Sequence, residues 1–254
     1  MPKGAALITG ASSGIGAELA RLCAADGYRP ILVARRASRL EQLAKTFSSP
    51  PGAARILTAD LADPAAPQSI FDQTRGEPIE ILINNAGFGV RGPYASSDWE
   101  KEARLIQVNM TALAHLTRLL LPGMLEQRSG RILNVASTAA FVPGAFMSMY
   151  YASKAFVLSF SHALSEEVRG SGVTVTVLCP GPTSTEFGDV AGMAGTQLFK
   201  GPQMSASEVA RTGYAAMLAG KPEVIAGARN RAVAFGTRLA PRTLLARITR
   251  RLNT

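Results

Sequence analysis

The chain has 254 residues, 47% of them hydrophobic and 18% charged, a balance that suits one folded domain with a sizeable core and excludes a disordered tract. Its formal charge is +9, but residues 221–254 hold eight basic side chains against the single acid Glu223, so the rest is nearly neutral and no nucleic-acid partner is expected. Two cysteines, Cys23 and Cys179, make neither a disulfide framework nor a metal site, and no apolar stretch approaches the ~20 residues that cross a bilayer, so a reducing, cytoplasmic setting is expected.

In chain order, the start MPKGAALITG lacks the long apolar region and cleavage site of a secretory signal, and its residues 5–9 are the first of six short apolar runs. The others are 31–34, 55–59, 81–84, 131–136 and 173–179, each bounded by turn residues and reading as a strand buried on both faces. Between them, helical spacing of Ala, Leu, Glu and Arg marks 14–26, 38–47, 64–74, 99–125 and 150–169. This alternation predicts βαβ units: an α/β, doubly wound parallel sheet in one domain, with helices on both faces and a ligand crevice beyond the carboxyl ends of the strands. The domain is expected over 1–220, followed by a basic helical extension over 221–254.

The first strand runs into Gly10, Ser12, Ser13, Gly14, Ile15 and Gly16, after which the pattern turns helical. Glycines at a strand-to-helix turn let backbone approach a phosphate, and the helix N-terminus adds free N–H groups. The spacing, G-x3-G-x-G, departs from the G-x-G-x-x-G fingerprint of many dinucleotide-binding folds. The second strand ends in Arg35 and Arg36, and no carboxylate follows until Glu41. A carboxylate there would bind a ribose 2′-hydroxyl, whereas an arginine fork binds a 2′-phosphate, so NADP(H) is expected over NAD(H). One arginine of the pair is expected only to open a solvated helix.

Ser137 follows the strand at 131–136, and thirteen residues on comes Tyr150-Tyr151-Ala152-Ser153-Lys154. Tyr150 and Lys154 lie one helical turn apart, where an ammonium would stabilise a phenolate and bring the phenol toward its working range. A serine hydroxyl beside them would hold a substrate oxygen while the phenol passes its proton. Tyr151, three residues from Lys154, competes with Tyr150, and helix geometry favours Tyr150 only modestly.

Together TGASSGIG (9–16), NNAG (84–87), Ser137, the YxASK run from Tyr150 to Lys154, and Pro180-Gly181 resemble, in order and spacing, the short-chain dehydrogenase/reductase superfamily in its single-domain branch. The likeness covers roughly residues 4–220 and implies a Rossmann-like fold. It implies a catalytic tetrad of Asn109, Ser137, Tyr150 and Lys154: Tyr150 as general acid/base, Lys154 also on the nicotinamide ribose, Ser137 on the carbonyl, and Asn109 in a water-linked proton relay. It assigns Asp60 and Leu61 to the adenine end, Asn84, Ala86 and Gly87 to the middle of the cofactor, and Pro180, Gly181, Thr183 and Thr185 to its nicotinamide side. Many NADP-preferring members carry a basic residue where this chain has Ser13, so the NADP(H) expectation rests mainly on Arg35. The implied activity is hydride transfer between NADP(H) and an apolar ketone or secondary alcohol, in a homodimer or homotetramer. The alternative, a silent NADP(H)-binding sensor or scaffold, would have no need of the full tetrad.

Substrate is expected between the loop after Ser137, with Phe141, Val142, Phe146, Met147 and Met149, and the segment after Pro180, with Phe187, Val190, Met193, Leu198, Phe199 and Met204. Phe141, Phe146, Met147 and Phe187 are the candidate contacts; the competing reading puts half of these side chains in the core or a subunit contact. His115 and His162 have no ligand-spaced partners, and no metal is expected. From Pro241 a helical pattern sets Leu244, Leu245, Ile248 and Leu252 on one side and Arg247, Arg250 and Arg251 largely on the other. Such a helix covers its own core, caps a neighbouring subunit, or lies peripherally on an anionic membrane.

Overall fold

In the computed structural model, which describes residues 3–47, 54–193 and 195–254, the strands are β1 (Ala5–Thr9), β2 (Arg29–Ala34), β3 (Arg55–Thr58), β4 (Ile79–Asn84), β5 (Gly130–Val135), β6 (Val173–Cys179), β7 (Thr183–Ser184), β8 (Met204–Ser205) and β9 (Glu223–Ile225). Seven of them form one parallel sheet in the order β3-β2-β1-β4-β5-β6-β9, and β7 and β8 pair separately. The helices are α1 (Gly14–Ala25), α2 (Ala37–Ala44), α3 (Ala66–Gln73), α4 (Trp99–Ile106), α5 (Ala112–Glu126), α6 (Ser148–Glu167), α7 (Phe187–Val190), α8 (Gln197–Lys200), α9 (Ala206–Leu218), α10 (Ala228–Thr237) and α11 (Arg242–Asn253).

Side chains of a strand alternate between faces, so a run that is apolar throughout must be covered twice. Leu7, Ile31 and Leu82 face α3, α5 and α6 through Ile70, Leu116 and Leu164. Their neighbours Ile8, Leu32 and Ile81 face α1, α2 and α9 through Leu19, Leu40 and Met217. Cys23 lies in the second of these layers; Cys179, at the end of β6, packs with Leu113 and Val157; both thiols are free and buried. Among the described residues no helix is long and apolar enough to cross a membrane.

Besides β7, β8 and the helices α7 to α10, which the expected elements do not include, three features differ. The helix expected over 99–125 is two, α4 and α5, joined by a π-turn at Gln107–Thr111. β9, unanticipated, lies inside the basic segment and pairs with β6 through Val177↔Glu223 and Cys179↔Ile225, so that segment begins within the sheet. Of the four apolar residues expected on one side of the last helix only Leu245 is buried; Leu244, Ile248 and Leu252 are exposed. The inward stripe of α11 is Leu245, Thr249 and Asn253, because its anchors are polar. Thr249 Oγ1 donates to Pro143 O at 2.7 Å and Asn253 Nδ2 to Ala145 O at 2.8 Å, while Arg91 Nε donates to Asn253 O at 2.6 Å. The tail therefore packs on its own chain, over the loop that precedes α6.

Candidate active site

The strand order reverses between β1 and β4, and a crevice opens beyond their carboxyl ends. Thr9 Oγ1 accepts from the Asn85 and Ala86 amides at 3.0 and 3.1 Å, and Asn85 Nδ2 donates to Thr9 O and Gly10 O at 3.1 and 3.2 Å. These bonds clamp the loop that enters α1. Gly10 and Gly14 have φ of +65° and +56°, a region that disfavours any side chain. The N-terminus of α1 has no side-chain cap and no acid in its first turn, and Ser12, Ser13, Gly14 and Ile15 line the cleft beside it. Gly16 does not: it is buried, and a Cβ there would stand 2.4 Å from Gly10 O, so its smallness serves loop packing. Asn84 also turns away from the cleft. Its Nδ2 donates to Thr117 Oγ1 and Asn134 Oδ1 at 3.1 and 2.9 Å, tying β4 to α5 and β5; Asn85 is the member of the pair that reaches the cleft.

At the ends of β2 and β3 the cleft is polar. Arg36 lies across the glycine loop, donating to Ser12 Oγ and Ser13 Oγ at 3.0 Å each and pairing with Glu186 at 2.8 Å. Arg35 is exposed on the cleft wall and, among the described residues, makes no ion pair. Both arginines thus reach the cleft. Asp60 and Leu61 line it after β3. Burial alone would raise the Asp60 carboxyl, but the Ala62 amide and the Arg104 and Arg35 guanidinium groups hold it below the usual range. Glu186 and Arg104 carry no sequence signal, because each meets its partner only through the fold.

The apolar end of the cleft sits between β5, α6 and the loop after β6. Ser137 Oγ accepts from Ala139 N at 3.1 Å and donates to Pro180 O at 3.4 Å. Tyr150 and Lys154 are buried, with Lys154 Nζ donating to Val135 O at 2.8 Å and standing 5.9 Å from the Tyr150 ring centroid. A Cβ on Gly87 would lie 3.4 Å from that Nζ and 3.1 Å from Asn109 Oδ1, so the bare glycine keeps room open beside the ammonium. Asn109 itself is buried in the π-turn and does not line the cleft. Its Oδ1 accepts from Phe88 N at 3.1 Å and its Nδ2 donates to Phe88 O and Ser153 Oγ, both at 3.0 Å, locking the loop after β4 to α6. Tyr151 OH donates to Asn253 Oδ1 at 3.2 Å, which commits that hydroxyl to α11 and leaves Tyr150 as the phenol beside Ser137. Burial pushes the Tyr150 phenol up, only partly opposed by Ser137, and pushes the Lys154 ammonium down to about 8. The expected lowering of the phenol is not seen, since the ammonium is turned toward Val135 O.

The cleft encloses about 460 Å3. Pro180, Gly181, Thr183 and Thr185 line one wall, Ala86 and Gly87 the floor, and Met147 and Phe187 the apolar end, where the Phe187 and Tyr150 ring centroids are 5.2 Å apart. Val142, Val190, Met193, Leu198 and Phe199 complete that end. Phe141 does not contribute, because it packs behind the site against Leu113, Val157 and Val177. Nor does Phe146, which has φ +64° and lies under the Arg250 guanidinium, 5.7 Å from its ring centroid. Met149 and Met204 are likewise outside the lining. In their place come Val233 and Thr237 of α10 and Thr249 and Leu252 of α11, from the segment that sequence had set apart by its charge. His162 Nε2 lies 2.7 Å from Glu223 Oε2, at the surface.

Residues 4–192 match the family model described as short chain dehydrogenase. The chain belongs to that family. This short-chain dehydrogenase is 37% identical over 180 residues to "Ketoacyl reductase HetN" of Nostoc sp., covering 70% of this chain and 63% of the relative. It is 39% identical over 183 residues to "Very-long-chain 3-oxoacyl-CoA reductase" of Phaeosphaeria nodorum, covering 68% and 53%. The match therefore spans 53–63% of the length of these two relatives. Among solved structures, "Short-chain dehydrogenase from Sphingobium yanoikuyae in complex with NADPH" aligns with a TM-score of 0.83 at 34% identity, over 93% of this chain and 94% of the other. The family is one of NAD(P)-dependent oxidoreductases. The open backbone cradle at Gly10 and Gly14, the uncapped end of α1 and the space kept by Gly87 in this short-chain dehydrogenase fit a dinucleotide laid along the cleft.

Proposed function

We propose that the chain is an NADP(H)-dependent carbonyl reductase or alcohol dehydrogenase that interconverts an apolar ketone and its secondary alcohol. The observation that carries this reading is the convergence of Ser137, Tyr150 and Lys154 at the apolar end of a cleft whose opposite end is a glycine loop under two arginines. In this reading residues 1–220 hold cofactor and catalytic groups, and 221–254 complete the substrate wall.

When bound, NADPH supplies hydride to the carbonyl carbon. The loop from Gly10 to Ile15 holds the diphosphate; Arg35 and Arg36 take the 2′-phosphate, Arg36 exchanging Glu186 for it. Asp60 and Leu61 border the adenine, Ala86 and Gly87 the middle, and Pro180, Gly181, Thr183 and Thr185 the nicotinamide. Ser137 donates a hydrogen bond to the substrate oxygen and fixes its position. Tyr150 then gives its proton to the oxygen as negative charge develops there; a phenol pushed up by burial is fully protonated at neutral pH, ready to act as the acid. Lys154, charged below about 8, would have to turn its ammonium from Val135 O toward the ring to offset the phenolate left behind. Asn109 acts through position, holding Phe88 and Ser153 so that the floor and α6 keep their spacing.

Support for NADP(H) comes from the two arginines that end β2 with no carboxylate in the chain until Glu41, and from the NADPH bound in the Sphingobium structure. Support for an apolar substrate comes from Met147, Phe187, Val142 and Leu252 on the cleft wall. A second reading within this chemistry, a 3-oxoacyl thioester, is favoured by the names of the Nostoc and Phaeosphaeria relatives.

The test is NADPH consumption against ketones graded from small and polar to long and apolar, with a 3-oxoacyl thioester included, NADH in parallel and Tyr150→Phe as the blank. Turnover that rises with apolar length, prefers NADPH and falls by about 10²–10⁴ in the variant is expected. NADPH binding without turnover of any carbonyl would replace this reading with a silent cofactor-binding protein.

A further inference from the structure

The apolar wall of the cleft continues onto the outside of the molecule. Val233 and Leu252 line the cleft and are also 58% and 36% exposed. Phe235, Leu239, Leu244 and Ile248 of the same segment are exposed too. On α11, Leu244, Ile248 and Leu252 recur every fourth residue and form one stripe along the helix, next to the buried stripe of Leu245, Thr249 and Asn253. By helical geometry the exposed Arg247 and Arg251 flank that stripe on the side away from the core. Residues 224–254 contain seven arginines and no acidic side chain. Among the described residues, none of the seven forms an ion pair.

A stripe of protruding aliphatic side chains edged by unpaired arginines fits a surface that is anionic at its face and apolar just beneath it. A second copy of this chain docked by the same face would set arginine against arginine. An acidic protein would satisfy the charges but leave the aliphatic side chains without a matching groove. We propose that α11, with the neighbouring end of α10, rests on an anionic lipid surface and that the cleft mouth beside it takes its apolar substrate from the bilayer. The second half of this proposal rests on the reaction proposed above; the lipid contact stands without it.

The experiment pellets the full chain with vesicles of equimolar phosphatidylcholine and phosphatidylglycerol, and with phosphatidylcholine alone, across a salt series. Binding only to the anionic vesicles, weakened by salt, is expected. The paired change Arg247→Glu with Arg251→Glu should weaken it about tenfold or more, and Leu244→Glu with Ile248→Glu should do likewise. Both variants, whose positions lie outside the cleft, should keep the wild-type melting temperature and wild-type turnover of a water-soluble ketone, but lose turnover of a ketone dissolved in the vesicles. Failure of the wild type to pellet with anionic vesicles overturns the contact, as does equal pelleting of wild type and variants. A wild-type dimer that ignores vesicles and is split by Leu244→Glu with Ile248→Glu would make the stripe a subunit contact instead. Unchanged use of the vesicle-borne ketone by the variants overturns the route into the cleft. If vesicle binding behaves as expected and no ketone turns over, the proposed reaction fails while the lipid contact holds.

Discussion

Tyr150 and Tyr151 are adjacent, chemically identical and differently employed. Spacing from Lys154 hardly separates them; the hydroxyl of Tyr151 is bound to Asn253, and that of Tyr150 stands by Ser137. Tyr151→Phe should therefore cost about 1 kcal/mol of stability in urea unfolding, the worth of one hydrogen bond, and leave most of the turnover that Tyr150→Phe removes. In the proposed reaction Lys154 would set the pH range. Burial lowers its ammonium to about 8, so kcat/KM for carbonyl reduction, which reports groups of the free enzyme, should be level below that value and fall above it as the lysine loses its proton. A profile level well beyond that pH would take Lys154 out of the proton chemistry. At the other end, Arg35→Ala should raise the KM for NADPH by roughly tenfold or more, the worth of a charged hydrogen bond, and leave the KM for NADH alone. Equal losses with both cofactors would place Arg35 away from the 2′-phosphate. The glycine loop is legible from its place at a strand end and Lys154 from a tyrosine one helical turn away, whereas the choice of Tyr150 over Tyr151, with Ser137 beside it, comes from the family resemblance. Phe141 and Phe146 lie outside the expected lining because a single 3-10 turn (Thr138–Phe141) and the loop after it are too short for a periodicity that says which way a side chain turns: one faces inward behind the site, the other lies under an arginine.

At the scale of elements, the instructive case is the last helix. Its apolar residues suggested a face for burial, yet the positions that turn inward are Leu245, Thr249 and Asn253, one apolar and two polar. Their contacts are with Pro143, Ala145 and Tyr151, partners about a hundred residues earlier that no local pattern reveals. Asn253 thus braces the loop that carries Met147 into the cleft. Asn253→Ala should raise the KM for the ketone severalfold while the NADPH dissociation constant, measured by cofactor fluorescence, stays put. A matched loss of NADPH binding would show that the brace supports the whole domain rather than the substrate loop. The π-turn was invisible for a similar reason: apolar spacing runs through 99–125 with little interruption, and one wider turn shifts the phase without altering composition. β9 is three residues long, too short to stand out beside the arginines that follow it.

For the molecule as a whole, the alternation of apolar runs and helical stretches was enough to give the parallel sheet, its two helical layers and the crevice at the reversal of strand order. Interior strands buried on both faces leave little freedom of interpretation; the boundary of the domain, set from charge, was harder, since the basic segment contributes both an edge strand and part of the cleft wall. The sheet also joins two thiols that lie far apart in the chain. Cys23 lies on the buried face of α1 and Cys179 at the end of β6 behind the cleft, both buried and both pushed up to about 12. A protonated thiol out of reach of solvent does not react with an alkylating reagent, so each cysteine keeps time for the opening of the structure above it. With β1, β4, β5 and β6 continuous between them, both should be alkylated at one common rate in mild denaturant; a faster rate at Cys179 would mean that the catalytic half loosens while the glycine-loop half stays folded. The protein thus carries its own pair of clocks for cooperativity, with no label to engineer.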